Sequence, residues 1–122
     1  MLILVIEDDD IMLKAICKIL GKNGYTAHAA KNGKEAYDFL NKNKYDLVLT
    51  DLMMPQVNGL EILSHIKTSN ATLPVIIISS VGNEDMISEC YKIGCSDFIR
   101  KPITQIELLL KIKKILEIKL SL

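Results

Sequence analysis

Tyr45-Asp46-Leu47-Val48-Leu49-Thr50-Asp51-Leu52-Met53-Met54-Pro55-Gln56-Val57-Asn58-Gly59 passes from a short apolar run to a carboxylate and then into a loop marked by Pro and Gly. Leu47, Val48 and Leu49 have the length and character of a buried strand, and the run stops at Asp51. In an open parallel α/β sheet, ligands bind in the crevice beyond the carboxyl ends of the strands. Asp51 would stand in that crevice. An Asp at a strand end is ordinarily a turn residue or a helix cap, so its meaning depends on what the rest of the chain brings to the same place.

Working outward, the first strand has the same form. Leu2-Ile3-Leu4-Val5-Ile6 is a continuous apolar run, as expected of a central parallel strand covered on both faces. It ends in Glu7, Asp8, Asp9 and Asp10, after which Leu13, Ile16, Cys17 and Leu20 recur at helical spacing until Gly21 and Gly24. Asp9 or Asp10 is accounted for as a helix cap or a first-turn acid. The carboxylates that remain at the strand tip exceed what capping requires.

The remaining elements follow in alternation. Tyr25 to Ala30 reads as a weaker strand, and Asn32-Gly33 with Glu35 opens a helix carrying Ala36, Phe39 and Leu40. After Gly59, Leu60, Leu63 and Ile66 give a third helix an apolar face that ends near Asn70. Pro74 introduces Val75-Ile76-Ile77-Ile78, which terminates in Ser79 and Ser80. Asn83 to Ile93 reads as a fourth helix with Met86, Cys90 and Ile93 facing inward, stopped by Gly94. Asp97-Phe98-Ile99 is a short last strand, and Arg100-Lys101-Pro102 turns into a final helix with Thr104 as cap and Glu107 at the capping-box position. Five strands alternating with five helices on short connections predict a three-layer (βα)5 sandwich over residues 1–122, a single domain.

Composition narrows the function. A chain of 122 residues that is 49% hydrophobic can bury a real core and is not disordered. Fifteen basic and fifteen acidic residues cancel, leaving no field to hold the domain on nucleic acid or an anionic membrane. Cys17, Cys90 and Cys95 lack metal-ligand spacing, and Cys17 is expected as a buried thiol in a reducing cytosol. Met1 to Ile6 is too short for a signal sequence or a membrane span, so a soluble cytoplasmic protein is expected. His28 and His65 have no ligand pattern around them and read as structural or surface residues. Tyr25, Tyr37, Tyr45 and Tyr91 are scattered singly and build no stacking platform for nucleic acid.

The strand tips gather Glu7 and Asp8, Asp51, Ser79 and Lys101. Clustered carboxylates raise one another's pKa unless a cation compensates them, and Mg²⁺, which takes oxygen ligands and keeps several waters, suits such a partial shell. Lys101 is a mobile point charge for an incoming anion such as phosphate, and Ser79 offers it a hydroxyl. A carboxylate held beside a divalent cation and an ammonium is a competent nucleophile toward a phosphoryl group. The reaction this predicts is formation of an aspartyl phosphate on Asp51.

Four segments together resemble the response-regulator receiver (CheY-like) domain: Leu-Val-Ile-Glu-Asp-Asp at 4–9, the stretch at 45–59, Pro-Val-Ile-Ile-Ile-Ser-Ser at 74–80, and Gly-Cys-Ser-Asp-Phe-Ile-Arg-Lys-Pro at 94–102. The resemblance spans essentially the whole chain. It implies a flavodoxin-like fold with strand order 2-1-3-4-5, Asp51 as phosphoacceptor, and Mg²⁺ held by Glu7, Asp8, Asp51 and the Met53 carbonyl. It implies likewise Ser79 as switch hydroxyl, Lys101 as the phosphate-pairing lysine and Phe98 as the aromatic switch. The acid pair is either Glu7 with Asp8 or Asp8 with Asp9. Ser stands at 79 where Thr is more usual, Phe at 98 where Tyr is frequent, and Ser80 at a site that is often Ala. Met53 and Val81 would shield the acyl phosphate if they lie over it, so slow self-hydrolysis is expected.

The implied partners are a sensor histidine kinase or phosphotransfer protein upstream, and an effector protein or C-terminal effector domain downstream. Output is expected through the face made by the fourth helix, fifth strand and last helix, where Asp97, Glu107 and Lys111 would support a homodimer. Ile87 replaces an expected basic partner there. On the last helix, Leu108, Leu109, Ile112, Ile115, Leu116 and Leu120 form a core stripe, while Ile106, Leu110 and Ile118 point away from it, as scattered surface residues or as a contact surface. Such a domain is a signalling module, not an enzyme. A haloacid-dehalogenase-like phosphohydrolase would want a second Asp at the Met53 position. The alternative that stays open is a phosphate-independent receiver-like interaction domain.

Overall fold

The computed structural model describes residues 1–121, with side chains through residue 118. Strands β1 (Leu2–Ile6), β2 (Thr26–Ala30), β3 (Leu47–Asp51), β4 (Val75–Ser79) and β5 (Asp97–Arg100) alternate with helices α1 (Asp10–Lys22), α2 (Gly33–Lys42), α3 (Gly59–Ser69), α4 (Glu84–Ile93) and α5 (Gln105–Ser121). The strands form one parallel sheet in the order β2-β1-β3-β4-β5. The alternation of elements predicts the layered parallel sandwich, and the strand order is the flavodoxin-like one that the family resemblance implies.

Strand residues alternate between two cores because successive side chains leave opposite faces of a sheet. Leu4, Ile6, Val48, Val75 and Ile77 pack with Ala36, Ile62, Leu63, Ile66 and Cys90 of α2, α3 and α4. Ile3, Val5, Leu47, Leu49, Ile76, Ile78 and Ile99 pack with Leu13, Ile16 and Leu20 of α1 and Leu108, Ile112 and Leu116 of α5. Burial on both faces is why β1, β3 and β4 read as unbroken apolar runs.

Side-chain caps set where the helices begin. Asn32, Asn58 and Asn83 each accept from the backbone N–H three residues on, at 2.8, 3.0 and 2.8 Å, and Thr104 does the same for α5 at 3.2 Å. At α1 the choice between Asp9 and Asp10 is resolved: Asp9 caps, accepting from Ile11 and Met12 at 2.9 and 3.1 Å. Gly21 lies inside the last turn of α1, and Gly24, at φ +86°, turns the chain toward β2.

Three expectations change in detail. Cys17 is only partly buried, whereas Cys90 and Cys95 are the buried thiols, because α4 turns its Cys90 side toward the sheet. Leu109 and Ile115 are partly buried at the margins of the α5 stripe, and Leu120 lies outside the residues whose side chains are described. His28 faces inward enough for its Nδ1 to pair with the Tyr45 hydroxyl at 2.7 Å, a structural role. Among the described residues no helix is long and apolar enough to cross a membrane.

Gly59 shows how tightly α3 sits on the end of β3. A Cβ there would run into the Asp51 carbonyl oxygen and lie 2.9 Å from the Leu52 Cα, both backbone atoms that have little room to yield. Gly59→Ala is expected to cost about 1–3 kcal/mol, seen as a lower urea midpoint at unchanged m-value. A midpoint equal to that of the parent would contradict this packing.

Candidate functional site

The register carries the functional side chains to one edge. Ile6 pairs with Thr50, Asp51 with Ile78 and Ser79 with Arg100, so the residues at or just after the ends of β1, β3, β4 and β5 converge there. Oxygens of Glu7, Asp8 and Asp51 lie within 4.8 Å of one another. With Asp9 engaged as the α1 cap, Glu7 and Asp8 are the pair beside Asp51.

Burial makes this cluster costly. Glu7 is 1% exposed and Asp51 5%, while Asp8 is open to solvent. One Glu7 oxygen accepts from the Asp9 N–H at 3.2 Å. The other meets no hydrogen-bond donor in bonding geometry, although Lys101 Nζ stands 3.1 Å away. Lys101 also lies 3.6 Å from Asp51. Burial, with a smaller push from Asp51, drives Glu7 up from 4.5 to about 7 against the pull of Lys101. Burial and the charge of Asp8 raise Asp51 too, again opposed by Lys101. For Lys101, burial alone would lower the pKa, but the two carboxylates outweigh it and hold it above its ordinary value.

Three acid oxygens within 4.8 Å of one another, two of them on buried residues, fit a bound cation: the donor set is all oxygen, as Mg²⁺ requires. Ser79 is fully buried, and its Oγ accepts from the Val81 N–H at 3.0 Å, which leaves the hydroxyl proton free to donate elsewhere. Phe98 is buried, its ring against Gly82, where a Cβ would meet the ring atoms at 3.3 Å. Met53 and Val81 stand about half-exposed on the loops after β3 and β4.

Two contacts were missed by sequence reasoning. The Arg100 guanidinium donates to the Gly82 carbonyl, tying β5 to the loop after β4. Thr50, fully buried, donates its hydroxyl to the Asp51 carbonyl at 3.0 Å. A Thr inside Leu-Val-Leu-Thr-Asp was the available signal for the second; an arginine in a turn offered none for the first.

A doubly wound parallel sheet thus gathers an acid-and-lysine cluster at its carboxyl edge, where such folds place their ligand sites. Comparison with known proteins makes the class specific. The family model for the response regulator receiver domain matches residues 3–113. The chain is 31% identical over 114 residues to the transcriptional regulatory protein SrrA of Staphylococcus aureus, covering 93% of this chain and 47% of that protein. It therefore spans about half the length of the curated relatives it matches. The receiver domain of Francisella response regulator 1452 superposes with a TM-score of 0.91 at 30% identity, covering 97% of this chain and 98% of that one. A receiver domain protein from Clostridium thermocellum gives 0.89 at 31% identity, covering 97% and 95%. The chain belongs to the response regulator receiver family of two-component systems.

Because Glu7 holds a proton in the native metal-free protein up to about pH 7, whereas the unfolded chain releases it near 4.5, this group makes stability fall as pH rises through that window. Glu7→Gln removes the effect. With chelator present, its stability relative to the parent is expected to improve by on the order of 2 kcal/mol between about pH 5 and about pH 8. A difference that stays flat across that range in denaturant titrations would contradict the assignment.

Proposed function

We propose that Asp51 is the phosphoacceptor of this receiver domain and that Mg²⁺-dependent phosphorylation at this residue is the event it transmits. The observation that carries the reading is the Lys101 ammonium, 3.1 Å from Glu7 and 3.6 Å from Asp51, at the centre of a buried acid cluster. The ion would be held by the Glu7, Asp8 and Asp51 carboxylates and the Met53 carbonyl. When bound, it supplies charge neutralisation for a phosphoryl group arriving among acids.

The residues divide the work. An Asp51 carboxylate oxygen attacks phosphorus, the bond from phosphorus to the donor breaks, and the donor leaves with the bonding electrons. Lys101 is placed to exchange its carboxylate contacts for a phosphoryl oxygen. Ser79 keeps the Val81 N–H as donor and turns its own proton toward the same group. The donor is the phosphohistidine of a sensor histidine kinase or phosphotransfer protein, or a small acyl phosphate. Met53 and Val81 would slow hydrolysis by folding over the product, since both are open to solvent without it.

Output would pass through the face of α4, β5 and α5 to an effector protein, a C-terminal effector domain or a second copy of this chain, in the cytoplasm. Phe98 is buried already, so its switching role would be a repositioning within the core rather than an entry from solvent. Lys111 is tied inside the chain to Asp97 and Glu107, each at 3.4 Å, and to the Phe98 carbonyl at 2.9 Å. A homodimer through this face would therefore rest on exposed Ile106 and Leu110 more than on new ion pairs.

Intact mass spectrometry after incubation with Mg²⁺ and acetyl phosphate tests the reading. One added phosphoryl group is expected on the parent, none on Asp51→Asn, and none when the metal is chelated. An unmodified parent under these conditions would favour the phosphate-independent interaction domain.

A further inference from the structure

Thr50 is the one polar residue inside the strand segment 47–50, and it is fully buried. Its neighbours in the sheet are Ile6 of β1 and Ile77 of β4. Valine would have the same shape and suit a parallel strand as well. A hydroxyl in such surroundings is costly unless it is bonded, and here it is bonded to one atom, the carbonyl oxygen of Asp51, at 3.0 Å.

That carbonyl belongs to the peptide unit joining Asp51 to Leu52, which is held at both of its polar ends. The Leu52 N–H donates to the Ile78 carbonyl at 2.9 Å, while the Asp51 carbonyl takes the Thr50 hydroxyl. Above it, α3 begins at a glycine whose missing Cβ leaves room for that oxygen, and the Gly59 N–H donates to the next carbonyl, Leu52, at 2.8 Å. This peptide is the first of the two that separate the Asp51 carboxylate from the Met53 carbonyl, the groups proposed above for one ion. Rotating it would move one against the other.

We propose that Thr50 is a positioning residue for the phosphoacceptor site: its hydroxyl fixes the Asp51–Leu52 peptide and so the placement of the Asp51 carboxylate relative to the Met53 carbonyl. The proposal rests on the assignment of Asp51 above. Thr50 itself touches neither phosphoryl group nor ion. Groups that orient metal ligands from behind commonly change metal affinity or activity about 10–100-fold when removed.

Two variants separate positioning from simple packing. Thr50→Val keeps the shape and deletes the donor; Thr50→Ser keeps the donor and deletes a methyl group. Each is compared with the parent for urea midpoint, for Mg²⁺ dissociation constant by calorimetry, and for phosphorylation rate by acetyl phosphate at saturating Mg²⁺. The Val variant is expected to bind Mg²⁺ about tenfold more weakly while holding most of its stability. The Ser variant is expected to lose stability and keep parental Mg²⁺ affinity. Affinities that instead track stability in both variants, or a Val variant that binds Mg²⁺ as the parent does, would overturn the role of Thr50 while leaving Asp51 in place. A parent that neither binds Mg²⁺ nor accepts phosphate would overturn the Asp51 assignment and this proposal with it.

Discussion

The ammonium of Lys101, shared between Glu7 and Asp51, is the interaction on which the site depends. Buried carboxylates repel one another and resent the loss of water, and a single lysine offsets only part of that. The imbalance remains visible in Glu7, pushed up to about 7, and in Asp51, raised as well. Such a cluster suits the cation proposed above, since its donors are all oxygen. The topology supplies the pieces in the right order: β1 and β3 are neighbours and bring the acids together, while β5 lies beyond β4, so Lys101 reaches past the tip that carries Ser79.

The same strand connects site and surface. Along β5 and its turn, Phe98 has its carbonyl held by Lys111 of α5, Arg100 bonds the Gly82 carbonyl in the loop before α4, and Lys101 faces the acids. β5 and its turn are therefore bonded to α5 and to the loop that leads into α4, the two sides of the proposed output face. A population shift between two arrangements needs differential contacts of this kind. Family membership places the domain among response regulator receivers.

Much of this could be read before any coordinates. Runs such as Val75 to Ile78 are apolar because both sheet faces are covered, and asparagines at 32 and 83 mark helix starts because their side chains take the first free N–H groups. Acids at strand tips were conspicuous for the same reason: nothing in a tip needs several charges. What one-dimensional reading could not supply was depth and partner. The choice between Asp9 and Asp10 as cap turns on a hydrogen bond, the partial exposure of Cys17 on its place at the edge of the face that α1 buries, and the buried state of Phe98 on the packing around Gly82. Thr50 stands out as the polar residue of an apolar run, but its partner is a backbone atom, which the sequence does not name.

The central claim is that the acid cluster is held short of a positive charge and that Mg²⁺ completes it. Calorimetric titration of the metal-free protein with Mg²⁺ near neutral pH, run in two buffers of different ionisation enthalpy, counts the protons displaced. Mg²⁺ binding with proton release is expected in the parent and a smaller release in Glu7→Gln, because burial raises Glu7 to about 7. Binding without proton release, or no binding at all, would contradict that claim.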